Sequence, residues 1–162
     1  MLNATNPDLR SFRANGGKLI QYHGWGDPAI SPLSSIAYYD SVRAFLDKFP
    51  DARRQASSST QEFYRLFMVP GMGHCGGGVG ANSFGNGASA QTDPDHDIIS
   101  ALDRWVETGI APDKIIATGT VVGDASKILT RPLCPYPQVA RYGGKGDPDS
   151  AASFACAAPQ AP

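Results

Sequence analysis

The sequence predicts an α/β fold, a short parallel sheet with flanking helices, and three observations carry that reading. Two apolar, β-prone runs, residues 18–23 and 63–69, are each followed by a glycine-bearing loop and then by a stretch with helical apolar spacing. Strand and helix alternation of this kind favours parallel pairing with right-handed crossovers. The two loops carry an acid, Asp27 in Gly24-Trp25-Gly26-Asp27-Pro28, and an imidazole, His74 in Pro70-Gly71-Met72-Gly73-His74-Cys75-Gly76-Gly77. Sites are commonly built from loops at the carboxyl ends of parallel strands, so both side chains are expected on one rim.

Each element has its own justification. Gly16-Gly17 precedes Lys18-Leu19-Ile20-Gln21-Tyr22-His23, and Gly24 ends it, which reads as a buried strand and a sharp turn. Ser31 and Pro32 then supply an N-cap and a proline at the first helical position. Tyr38, Val42, Phe45, Leu46 and Phe49 repeat at helical spacing up to Pro50. Residues 51 to 61, with Ser57-Ser58-Ser59-Thr60, read as an exposed connection to the second strand, Phe63-Tyr64-Arg65-Leu66-Phe67-Met68-Val69. After the glycine-rich loop of residues 71 to 92, Asp93-Pro94 is expected to open a helix with the stripe Ile98, Ile99, Leu102, Trp105 and Val106, closed by Gly109 and Pro112. Residues 115 to 120 read as a further extended segment. The expected division is a catalytic portion over 1–127 and an irregular arm over 128–162 with a low-complexity Ala/Pro end.

Composition narrows the function. The chain has 162 residues, 41% apolar and 18% charged, which suits one globular domain without a compositional sign of disorder. A net charge of -1, with Lys and Arg scattered apart from Arg53-Arg54, disfavours nucleic acid and anionic membranes as partners. No apolar run approaches spanning length, and residues 1 to 15 lack the basic start, hydrophobic centre and small-residue cleavage site of an export signal. Cys134 and Cys156, 22 residues apart in a Pro- and Gly-rich stretch, are either a staple worth roughly 3 kcal/mol or two reduced thiols. Cys75 is left over.

An acid and then an imidazole on successive strand-to-helix loops is the order in which an α/β-hydrolase delivers the last two members of its catalytic triad. An imidazole can take a proton from a hydroxyl and return it to a leaving alcohol, provided a carboxylate accepts its other ring N–H and holds the tautomer. On that reading His74 is the base and Asp27 its orienter. The competing reading is a turn aspartate before Pro28 and an incidental loop histidine. No Gly-x-Ser-x-Gly is present; Ser83 and Ser89 read as ordinary loop serines, and the Cys75 thiol as too awkwardly placed beside His74 to replace the nucleophile. The glycine run lacks the Gly-Lys-Ser/Thr of a phosphate loop. A metal site from His74, Cys75 and Asp27 would need adjacent ligands that fit zinc spacing poorly, so neither metal nor cofactor is expected. His23 and His96 read as a packed and a solvated histidine, and Trp25 as a weak candidate for a pocket wall.

Three segments carry a resemblance: Gly17-Lys18-Leu19-Ile20-Gln21-Tyr22-His23-Gly24-Trp25-Gly26-Asp27-Pro28-Ala29-Ile30-Ser31-Pro32, then Phe67-Met68-Val69-Pro70-Gly71-Met72-Gly73-His74-Cys75-Gly76-Gly77-Gly78, then Thr130-Arg131-Pro132-Leu133-Cys134-Pro135-Tyr136-Pro137. Together they closely resemble the C-terminal third of the tannase and feruloyl esterase family. The resemblance implies an α/β-hydrolase fold, of which this chain is the C-terminal part, with Asp27 and His74 as triad acid and base. It implies that Cys75 bonds a cysteine outside this chain, beside the nucleophilic serine, and that Cys134 and Cys156 form a further family disulfide. It also implies a secreted or periplasmic location and esters of aromatic acids, such as gallate and ferulate, as substrates.

The chain departs from the family in what it lacks. Only 26 residues precede Asp27 and none forms the serine elbow, while the lid that shapes the aromatic-acid pocket is absent too. The expectation is a fragment, from a misassigned start or a split gene. Two functions follow: the acid–base portion of a serine esterase, or a non-catalytic module whose bare sheet edge and faces bind a complementary N-terminal portion or a second copy of itself.

Overall fold

The computed structural model describes residues 4–49, 60–87 and 93–160. In chain order the elements are α1 (Arg10–Ala14), β1 (Leu19–Gly24), α2 (Pro32–Lys48), a short 3₁₀ turn at Thr60–Glu62, β2 (Tyr64–Val69), α3 (Ile98–Thr108), β3 (Ile115–Val121), β4 (Asp124–Leu133), β5 (Val139–Tyr142) and β6 (Phe154–Ala157). β1 and β2 pair in parallel, with Leu19 opposite Tyr64 and Gly24 opposite Val69. Both strands therefore end level, and the two loops that follow emerge side by side.

β2 is buried on both faces, which is why its sequence is a nearly continuous apolar run. Alternate side chains of a strand point to opposite faces. Tyr64 and Leu66 join Tyr39, Val42 and Leu46 of α2 with Phe63 in one core, while Phe67 and Val69 join Ile98 and Ala101 of α3, Ile115 and Ala117 of β3 and Leu133 of β4 in the other. The same alternation sends Ile20 and Tyr22 of β1 toward α3 and Leu19 toward α2.

The helices differ from their expected stripes in instructive ways. α2 buries Ser35, Tyr39, Val42 and Leu46. Phe45 and Phe49 lie off that face, their ring centres 4.8 Å apart, with the Arg10 guanidinium 5.2 and 5.3 Å from the two rings. α3 starts at Ile98, not at Asp93-Pro94, because buried Asp97 is the N-cap and accepts from the Ser100 N–H at 2.8 Å. Its far end closes on Gly109 at φ 76°, as expected, but Ile99 and Val106 of the predicted stripe are exposed. The connection expected over residues 51 to 61 falls mostly outside the described residues; Thr60, within them, is buried.

Two further corrections concern the sheet and the arm. Among the described residues parallel pairing is confined to β1 and β2; β3 pairs antiparallel with β4, because Val122-Gly123 reverses the chain directly and leaves no length for a crossover. The arm expected to be irregular from residue 128 begins inside β4, and it also carries the antiparallel pair β5 and β6, with Val139 opposite Ala157. Those two strands are separated by a long connection, so no local sequence pattern announces their pairing. No described helix is long and apolar enough to cross a membrane.

Cys134 and Cys156 are disulfide-bonded, closing the 22-residue span that holds β5 and β6 together. Reduction is expected to lower unfolding stability by about 3 kcal/mol, the loop-closure value for a span of this size. Urea denaturation with and without reductant, repeated on a Cys134→Ser, Cys156→Ser double variant, measures it.

Candidate active site

The first loop is built by backbone hydrogen bonds that reach into the second. After β1 ends at buried Gly24, the Trp25 N–H donates to the Val69 carbonyl and the Gly26 N–H to the Met72 carbonyl, both at 2.9 Å. Gly24 has no room for a side chain: a Cβ there would stand 2.6 Å from the Gly73 carbonyl oxygen. Only glycine lets the two loops approach this closely.

The second loop is a tight reversal. The Gly73 N–H donates to the Gly77 carbonyl at 3.0 Å and the Val79 N–H to the Gly71 carbonyl at 3.1 Å, which leaves His74 at the tip. Gly78 takes φ 102° and packs against the Gly71 carbonyl. Met72, 1% exposed, anchors the loop in the core.

These turns bring Asp27 and His74 together, with His74 Nδ1 2.8 Å from Asp27 Oδ2. A carboxylate can only accept, so Nδ1 carries a proton, and in the neutral ring Nε2 presents a lone pair. The Asp27 side chain is 4% exposed and that of His74 is 48%. Loss of solvent pushes the Asp27 pKa up, but the Ile30 and Ala29 N–H groups, donating to Oδ1 at 3.0 and 2.8 Å, and the His74 contact outweigh it. The carboxyl is held well below the usual carboxylate range. The pair can thus orient an imidazole and stabilise it when it takes up a proton.

A carboxylate depressed on folding contributes stability that is fully present above its unfolded pKa, about 3.9, and is lost as pH falls through the lower folded value. The stability gap between the parent chain and an Asp27→Asn variant is therefore expected to narrow as pH drops below about 4. Urea midpoints across a pH series check it.

His23 is the residue that sequence reasoning undervalued. Its packed reading accounts for a side chain only 12% exposed, but not for Nε2 lying 3.1 Å from Asp27 Oδ2 and Nδ1 lying 2.7 Å from the Ser35 hydroxyl. The available signal was Gln21-x-His23, two polar side chains on one face of an apolar strand, which burial obliges to find partners. His96, expected in solvent, is exposed and sits 2.7 Å from Asp93. Trp25 is 47% exposed. Cys75 is exposed, takes φ 61° and is not disulfide-bonded. Ser83 is bridged through its backbone to Thr118, and Ser89 lies outside the described residues. Among the described residues no group of three His, Cys, Asp or Glu side chains is arranged to hold a metal ion.

With this geometry, residues 1–157 match the family model for tannase and feruloyl esterase, and the chain belongs to that family. Among curated relatives it is 44% identical to an uncharacterized esterase of Xanthomonas campestris, over 96% of this chain and 28% of that one. It is 45% identical to the mono(2-hydroxyethyl) terephthalate hydrolase of Piscinibacter sakaiensis, over 96% of this chain and 22% of the hydrolase. The crystal structure of an esterase from Aspergillus oryzae superposes with a TM-score of 0.79 at 35% identity, covering 94% of this chain and 29% of the esterase. The chain thus spans about a quarter of the length of the curated relatives it matches.

Proposed function

We propose that this chain is the acid–base portion of a serine carboxylesterase that hydrolyses esters of aromatic acids. The observation that carries the proposal is the Nδ1–Oδ2 contact between His74 and Asp27 across two loops pressed together at Gly24. Membership of a family whose relatives are esterases and feruloyl esterases supports the reaction class.

In the proposed reaction a serine hydroxyl, supplied by a segment of the kind that fills the rest of the relatives' length, attacks the ester carbonyl. His74 Nε2 takes the hydroxyl proton as the tetrahedral intermediate forms and returns it to the departing alcohol, leaving an acyl-serine. Water, deprotonated by the same nitrogen, then releases the acid. Asp27 holds the tautomer and stabilises the imidazolium. Cys75, next to the base and free to pair, would bond a cysteine near that serine, and the Cys134–Cys156 disulfide supports a secreted or periplasmic location.

The test is to produce the chain alone and together with the N-terminal portion of an esterase relative, with a feruloyl ester and a fluorophosphonate serine probe. Hydrolysis and labelling of the added portion, with neither in the chain alone, are expected. Labelling of this chain by itself would overturn the assignment of the nucleophile to another segment. A complex that forms without hydrolysing any aromatic-acid ester would leave the chain as a binding module.

A further inference from the structure

We propose that His23 is a positioning residue for the Asp27 carboxylate, held in its Nε2–H form by a hydrogen-bond chain that runs from Tyr64 through Gln21 and Ser35. The proposal rests on the reading of Asp27 and His74 as the acid and base.

With the His23 ring neutral, the bonds of the chain all run one way. The Tyr64 hydroxyl donates to Gln21 Oε1, and burial, by pushing the phenol pKa up, keeps that donor protonated. Gln21 Nε2 then donates to Ser35 Oγ at 2.8 Å. With an acceptor site taken, Ser35 Oγ has one hydrogen to give, and His23 Nδ1 lies 2.7 Å away. On the other side of the ring, Nε2 faces two groups that can only accept, Asp27 Oδ2 at 3.1 Å and the Ile30 carbonyl at 3.2 Å. The ring nitrogen between them must carry a proton, and in the neutral ring Nδ1 is then left with its lone pair and accepts from the Ser35 hydroxyl.

The consequence is a saturated carboxylate. Oδ1 accepts two backbone N–H groups, while Oδ2 accepts from both imidazoles. His74 sits on an exposed loop tip and cannot fix its own orientation. The His23 N–H, mounted on β1 and braced by α2 and β2, stops Asp27 from turning away. It therefore selects the Nδ1–H tautomer of His74 without touching a substrate.

Side-chain nitrogen NMR on the isotopically labelled chain tests this by reading the tautomer of each histidine at neutral pH. The parent chain is expected to show His23 protonated at Nε2 with a bare Nδ1, and His74 protonated at Nδ1. His23→Phe is expected to release His74 into a mixture dominated by the Nε2–H form, and His23→Gln, whose amide can donate to Oδ2, to restore the parent pattern. A neutral His23 protonated at Nδ1 overturns the proposal without any variant, should His23→Phe fail to fold. If His74 keeps its Nδ1 proton in folded His23→Phe, the positioning role falls while the catalytic pair stands. If His74 lacks that proton in the parent chain, the catalytic reading falls and takes this proposal with it.

Discussion

Replacing His74 with alanine in the assembled esterase is expected to lower kcat on the order of 10⁶-fold, with much less change in KM. In the proposed reaction the imidazole accepts the hydroxyl proton, and Asp27, held as a carboxylate by two backbone N–H groups, cannot take over that task from its buried position. The double variant His74→Ala, Asp27→Ala should lose little beyond His74→Ala alone, because an orienter without its base has nothing to orient. Steady-state kinetics on the parent, His74→Ala, Asp27→Ala and the double variant measure this. Additive losses would show that Asp27 acts independently of His74.

Gly24→Ala is expected to damage the site from a position that bears no functional group. The added methyl would stand 2.6 Å from the Gly73 carbonyl oxygen and 2.8 Å from the Met72 carbonyl carbon, all backbone atoms that cannot swing aside. The loops must part, stretching the Gly26 to Met72 hydrogen bond and the Asp27 to His74 contact together. Overpacking of this kind costs about 1–3 kcal/mol of stability, and a misplacement near 1 Å costs about 10²-fold in rate. Denaturation midpoints and kcat of the variant check both. Unchanged kcat at reduced stability would mean that the loops part without moving the pair.

The two parallel strands and the pair at their ends were legible because each signal is local. At both β1 and β2 an apolar run is followed directly by a glycine turn, and an amphipathic stretch comes next in the chain, at once after the first loop and beyond a long glycine-rich loop after the second. The true start of α3 was less legible, since Asp93-Pro94 has the look of a helix entry and only the structure shows Asp97, buried against the core, as the cap. The contacts of His23 were hidden for a different reason. Its partners, Ser35 on α2 and Asp27 beyond the turn, lie on the α2 side of β1, and one histidine in a strand carries no mark of what it faces.

By itself the sequence determined the succession β1, α2, β2, α3 and β3, the acid and the imidazole on successive loops, and the family to which those motifs belong, because all of these are properties of neighbouring residues. Only the tertiary structure decided that Asp27 serves two histidines, that β3 turns back on β4, and that the arm holds a sheet of its own. Those outcomes depend on side chains and strands far apart in the chain meeting at hydrogen-bond distance, and no local pattern encodes which distant partners meet.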